Sequence, residues 1–194
     1  RALGSSGDGE RAIAELRRAV ELKPDLPDAW RVLADHLTAI DDVAGADAAY
    51  AQHIRVSTKD PRLLEAAVAL YDNRIAVAET LLRNHLKSHP TDVAAIRMLA
   101  EVAGRLGRYG DAEKLLERCL QLAPSFHPAR HNYATVLHRE NKLAEALREI
   151  DQLLAVDGRN PSYRNLKAAL LGRIGEYQQA IETYASVLAE YPNH

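Results

Sequence analysis

Residues 93–126 read VAAIRMLAEVAGRLGRYGDAEKLLERCLQLAPSF, and this stretch decides the fold. Gly107 stands five residues before Ala112, Leu116 four residues after it and Pro124 twelve after it. The same intervals return around Ala146, with Asn141, Ile150 and Gly158, and around Ala180, with Gly175, Tyr184 and Pro192. The three alanines are spaced 34 residues apart. A fixed period of this length marks a chain that repeats one supersecondary unit.

The residue types fit a unit of two antiparallel helices, A and B. Gly107 and Gly175 can enter the connecting turn with positive φ, and proline stops helix B. The alanines face the partner helix, where a larger side chain would force the pair apart. Leu33, Leu99, Tyr133 and Leu116 form apolar stripes at helical spacing. One hairpin cannot bury both of its stripes, so stability must come from neighbours stacking.

The frame extends backwards. Residues 27–60 carry Trp30, Leu33, Ala34 and Leu37, then Ala46 and Tyr50. Residues 61–92 keep Ala78, Leu82 and Pro90, and the turn at 72–74 is expected to be two residues shorter. Residues 1–26 are expected to hold the end of a helix, a turn across Gly4–Gly9, and a second helix with Ala12, Leu16 and Ala19. Arg130 and Arg164 stand where Trp30 stands, and Lys167 where Leu33 does, so Tyr163 and Leu166 are expected to supply the apolar packing in their stead. The expected fold is all-α, a right-handed superhelical solenoid of antiparallel helix pairs. It forms one domain over 1–194, with a partial repeat at 1–26 and complete repeats at 27–60, 61–92, 93–126, 127–160 and 161–194. Both ends look cut, with Ile181, Tyr184 and Leu188 partly exposed on the last helix, so a longer parent chain is expected.

Composition agrees with the all-α reading and narrows the function classes. Apolar residues make up 47 % but aromatics only 5 %, so Ala and Leu, both strong helix formers, carry the core. A net charge of −2 lacks the basic surplus a nucleic-acid binder needs. The single cysteine, Cys119, excludes an internal disulfide and a cysteine-based zinc site, and it reads as a buried inert thiol. Apolar stretches are too short to span a bilayer. A cytoplasmic setting without membrane contact is expected.

The register of these residues resembles the tetratricopeptide repeat, whose pattern is Trp-x2-Leu-Gly-x2-Tyr, then Ala-x3-Phe, then Pro. The resemblance covers essentially the whole chain. The phrases HPTDVAAIRMLAEVAGRLGRYGDAE and YRNLKAALLGRIGEY are similar, more narrowly, to the N-terminal repeats of bacterial tetratricopeptide-containing sulfotransferases. In that family a sulfotransferase domain follows the repeats. No segment here could cradle a phosphosulfate donor, so no catalysis is expected of these residues and no cofactor.

The family resemblance implies a protein-interaction scaffold that holds a peptide or protein in a concave groove lined by the A helices. Its groove positions fall here on Arg31 and Asp35, on Arg97, Glu101 and Arg105, on His131, Thr135, His138 and Arg139, and on Asn165 and Arg173. Arg105, Arg139 and Arg173 recur at 34-residue spacing, a ladder whose guanidinium forks suit carboxylates. An acidic peptide is the expected partner, and self-association through the exposed ends is a second route to assembly. Asn132 matches one position of the family's carboxylate clamp, but Glu101 occupies a site where an amide is expected, which disfavours chaperone-type recognition. His85 and His89, like His127 and His131, have metal-ligand spacing on a helix but lack a flanking Glu and lie at helix ends, so no metal is expected.

Overall fold

The computed structural model describes residues 3–192, with side chains from 9 to 192. Eleven helices, and no strand, occur among the described residues: α1 (Leu3–Leu22), α2 (Pro27–Ala39), α3 (Val43–Ser57), α4 (Pro61–Tyr71), α5 (Ile75–Ser88), α6 (Val93–Arg105), α7 (Tyr109–Leu122), α8 (His127–Arg139), α9 (Leu143–Val156), α10 (Pro161–Ile174) and α11 (Tyr177–Glu190). None of the described helices is long and apolar enough to cross a membrane.

Each hairpin turn is built the same way. Asp41, Asn73, Gly107, Asn141 and Gly175 all take positive φ, between 57° and 94°. Glycine enters that region without strain, and Asn and Asp tolerate it best among the others. The next residue closes the turn by donating its N–H back to the carbonyl five residues earlier, as Arg108 does to Ala103 at 2.9 Å and Lys142 to Leu137 at 2.9 Å. Helix starts are marked as clearly. Asp60, Asp92 and Asn160 cap the next helix through side-chain oxygens, and proline opens α2, α4 and α10.

Close approach within each pair rests on alanine. Ala46, Ala78, Ala112 and Ala146 are buried, and each is followed four residues on by a filled large position, Tyr50, Leu82, Leu116 or Ile150. Tyr163 and Leu166 pack on the core of α8, α9 and α10, and so supply the apolar surface that Lys167 does not. Arg130 takes over a different task from Trp30. The Trp30 Nε1–H donates to the Pro24 carbonyl at 2.9 Å, and an Arg130 N–H donates to Pro124, also six residues back, at 2.8 Å. Arg130 then neutralises its charge on Glu149 at 2.5 Å.

Two expectations about the early chain need correction. The Gly4–Gly9 segment is not a turn, because α1 runs without a break from Leu3 to Leu22. Glycine and serine permit a turn but do not require one. Nor is the turn at 72–74 shortened, since it has three residues like those at 40–42, 106–108 and 140–142. The missing length lies at the α3–α4 junction. There α3 has one residue more than α5, the loop 58–60 one fewer than 89–92, and α4 two fewer than α6.

That slip breaks the regular stack. Helices α5, α7 and α9 each pack along the following helix, whereas α3 scarcely touches α4 and leans on α6 and α7 instead. The core therefore runs from α1–α3 directly into α6 and α7, through residues such as Tyr50, Val93, Leu116 and Phe126. The α4–α5 pair packs on the other face of α6, against Met98, Leu99 and Val102. Leu64, Val68 and Tyr71, spaced as one face of α4, are left exposed.

Candidate functional site

The cleft between α6 and α8 gathers the groove candidates. It has a volume of about 530 Å3, and Glu101, Arg105, His131, Thr135 and Arg139 line it together with Asn132. Tyr109 and Leu116 give it an apolar floor from α7. Arg97 lines a second, more apolar cleft of about 370 Å3, opened by the slip at α3–α4 and walled by Ile54, Leu64, Met98 and Phe126. Its guanidinium stands 3.6 Å from Glu101.

The arginine ladder is not uniform. Arg105 donates to the Leu70 carbonyl at 2.8 Å and to Glu101 at 2.6 Å. Arg173 donates to Asn141 Oδ1 in the preceding turn at 2.8 Å. Arg139 makes no such bond: the equivalent turn residue is Gly107, which has no side chain to receive it. Asn165 is half-buried on α10, outside the α6–α8 cleft.

Burial holds His131 below the ordinary histidine value of 6.5, and the same effect, aided by Arg173 and Arg139, lowers His138. Lowered values mean that the folded rings bind protons less readily than the unfolded ones. Their contribution to stability is present above pH 6.5 and is lost as pH falls through the lowered folded values. The thermal midpoint is expected to drop between pH 7.5 and 5, and to drop less in His131→Gln. A midpoint that is flat over this range, or equally steep in the variant, excludes this linkage for His131.

Arg31 and Asp35 lie elsewhere, in a polar joint between α2–α3 and the loop before α6. The Tyr50 hydroxyl donates to Asp35 at 2.6 Å, Thr91 donates to Asp35 at 2.8 Å, and Arg31 reaches both Asp35 (3.1 Å) and Thr91 (3.2 Å). The deepest part of the joint is centred on Asp92, 2 % exposed, whose carboxylate accepts from His53 Nε2 at 3.1 Å and His85 Nε2 at 2.7 Å. Burial alone would raise this carboxyl, but the two histidine hydrogen bonds outweigh it and hold Asp92 far below the usual carboxylate range. His53 Nδ1 meanwhile faces the Pro27 carbonyl at 3.0 Å.

His53, His85, Cys119, Leu153 and Val187 occupy the same helix B position, allowing for the slip. The Cys119 thiol donates to Val93 at 3.4 Å, and His53 Nδ1 faces Pro27 across the same span of 26 residues. Cys119 is fully buried, and its surroundings push the thiol up to about 12, so it is inert as a nucleophile. Spacing along the chain does not reveal the joint, because His85 pairs by spacing with His89 in its own helix and His53 has no histidine four residues away. The available signal was a histidine at a position that otherwise holds Cys, Leu or Val.

Ser57, His53 and Asp92 together have the residue types of a nucleophilic triad. Their geometry is structural. Ser57 Oγ donates to the His53 carbonyl at 2.6 Å and lies about equally far from both ring nitrogens, 3.2 and 3.3 Å, so it is aligned with neither. Ser57 is 2 % exposed, and its hydroxyl proton is committed to the His53 carbonyl.

Tetratricopeptide repeat models match residues 1–61 and 63–125, 105–170, and 162–194. The chain belongs to the tetratricopeptide repeat family. Repeats of this family build protein-interaction scaffolds, and neither the fold nor the comparisons indicate catalysis. The chain is similar to the cytochrome c-type biogenesis protein CycH of Pseudomonas aeruginosa, 33 % identical over 128 residues, covering 62 % of this chain and 31 % of that protein. It is also similar to the TPR repeat-containing protein YpiA of Bacillus subtilis, 21 % identical over 198 residues, covering 97 % and 45 %. It thus spans less than half the length of these relatives. Among solved structures, YrrB, described as a TPR protein with an unusual peptide-binding site, superposes with a TM-score of 0.61 at 17 % identity, over 92 % of this chain and 93 % of that one. PilW, a type IV pilus biogenesis factor, gives 0.60 at 21 %, over 98 % and 89 %. At these identities the structural likeness concerns the fold alone.

Proposed function

We propose that this segment is a non-catalytic scaffold that binds a peptide or protein segment in the α6–α8 cleft. The observation that carries this reading is the convergence of Glu101, Arg105, His131, Thr135 and Arg139 on one opening with an apolar floor. A peptide ligand needs such a mixture, since buried apolar contact supplies affinity and a few fixed polar groups supply orientation. That YrrB is described as having a peptide-binding site supports the reading by analogy.

The test is selection of peptides from a displayed random library on the intact chain, followed by NMR mapping of the best binder. Shifts centred on Ala100–Arg105 and His131–Arg139, with at least tenfold weaker binding in Thr135→Arg, are expected. Shifts confined to other helices overturn the assignment. The narrower reading, that the repeats serve a bacterial sulfotransferase by positioning its substrate or driving oligomerisation, rests on the sequence phrases alone. Under it the full-length parent transfers sulfate and loses substrate affinity when the cleft is blocked by Thr135→Arg.

A further inference from the structure

The last turns of α8 and α10 bring together three nitrogen-bearing side chains that few partners satisfy. Arg139 is exposed and has no hydrogen-bond or ion-pair partner among the described residues. Arg173 has one bond, to the neutral Asn141 amide oxygen. His138 places Nε2 out of reach of solvent with no hydrogen-bond partner. Burial, Arg173 and Arg139 all act on His138 in the same direction, toward the neutral ring.

The nearby charges do not neutralise this cluster. On α6, Glu101 is engaged by Arg105 at 2.6 Å. In the α8–α9 turn, Glu140 is engaged by Lys142 at 3.1 Å. On α10, the charged group facing His138 is Arg173 itself. The dipole of each helix favours a cation in its last turn. It does not account for two guanidiniums set around a histidine whose ring nitrogen is buried and unpartnered, which costs free energy until a partner arrives.

We propose that His138, Arg139 and Arg173 form a carboxylate site for an acidic residue of a peptide bound in the cleft, and that its capture draws one proton from solvent onto His138. This rests on the cleft being the peptide site, because Arg139 lines both. The carboxylate bridges the two guanidinium forks, and its negative charge reverses the field that keeps the imidazole neutral. The ring takes up H+ and remains cationic while the anion stays. By linkage, binding then strengthens as pH falls, by up to about tenfold per pH unit for one coupled proton.

The probe is an acetylated, amidated hexaglutamate peptide, with hexaglutamine as its neutral counterpart, titrated by calorimetry into the intact chain at pH 5.5 to 8. Calorimetry in buffers of different ionisation enthalpy counts the protons taken up. Saturable hexaglutamate binding that tightens at least tenfold across the range, with uptake approaching one proton below pH 6.5, is expected. His138→Gln should flatten the pH dependence beyond that of polyanion binding at large, and Arg139→Gln with Arg173→Gln should weaken binding at least tenfold. Absence of saturable binding at pH 5.5, unchanged proton uptake in His138→Gln, or affinity untouched by the arginine pair overturns the proposal. Displacement of the peptide by inorganic phosphate at far lower concentration than by acetate overturns the choice of carboxylate. Library peptides that map to the cleft but bind equally at all pH values would refute the carboxylate site while leaving the cleft reading intact.

Discussion

Asp92→Ala is expected to destabilise the chain by about 3–5 kcal/mol, the combined range for stranding two buried imidazole donors and losing a helix cap. The carboxylate is 2 % exposed, receives hydrogen bonds from His53 and His85, and also caps α6 by accepting from the Ala95 N–H at 3.0 Å. Its loss removes the cap and leaves two buried imidazoles facing empty space, one of them still held by Pro27. Asp92→Asn separates the parts, since its amide oxygen can still cap α6 but its amide nitrogen cannot accept from a histidine N–H as the second carboxylate oxygen does. Chemical denaturation should therefore rank wild type, Asn and Ala in falling order. The pH sign is fixed as well: a carboxyl held below its usual range stabilises at pH values above 3.8 and loses that contribution only in strong acid. An Ala variant within 1 kcal/mol of wild type would show that the joint is dispensable.

The repeat was legible in the sequence because its most constrained positions allow few residue types. Alanine at 112, 146 and 180 is set by the distance between two helix backbones, and Gly107, Asn141 and Gly175 by a positive φ. Such local requirements leave a periodic trace. The α3–α4 slip left a weaker one. Its deficit of two residues is spread over a longer α3, a shorter loop and a shorter α4, so counting along the chain placed it in the wrong turn. Once α3 departs from α4, its contacts with α6 and α7 are non-local and no spacing announces them.

The candidate site divides along the same line. Glu101, Arg105, His131, Thr135 and Arg139 share a cleft because adjacent A helices stay in register. Arg31 and Asp35 hold matching positions in the repeat but belong to the hairpin beyond the slip, where Thr91 and Tyr50 occupy them. Repeat arithmetic thus finds groove residues only where the stack is regular. The difference between Arg139 and Arg173 depends on the turn residue 32 positions earlier, Gly107 in place of the accepting Asn141 side chain. Position within one repeat does not reveal it.

Leu116→Ala should cost about 2–5 kcal/mol, the range for emptying a fully buried leucine site. The more telling effect concerns cooperativity. In a stack, stability is roughly the sum of each unit and its interfaces with neighbours, so a weakened unit can split the transition. Leu116 belongs to the cluster that carries the core from α1–α3 into α6 and α7, whereas α4–α5 has a separate cluster on the far face of α6. Damage at Leu116 therefore strikes the apolar link between the displaced N-terminal hairpin and the regular stack. Hydrogen exchange in Leu116→Ala should show α1–α3 opening at lower free energy than α8–α11, while Leu153→Ala, a buried site confined to the α8–α10 cluster, should spare α1–α3. Equal loss of protection in every helix of the Leu116 variant would mean that the chain unfolds as a single unit despite the slip.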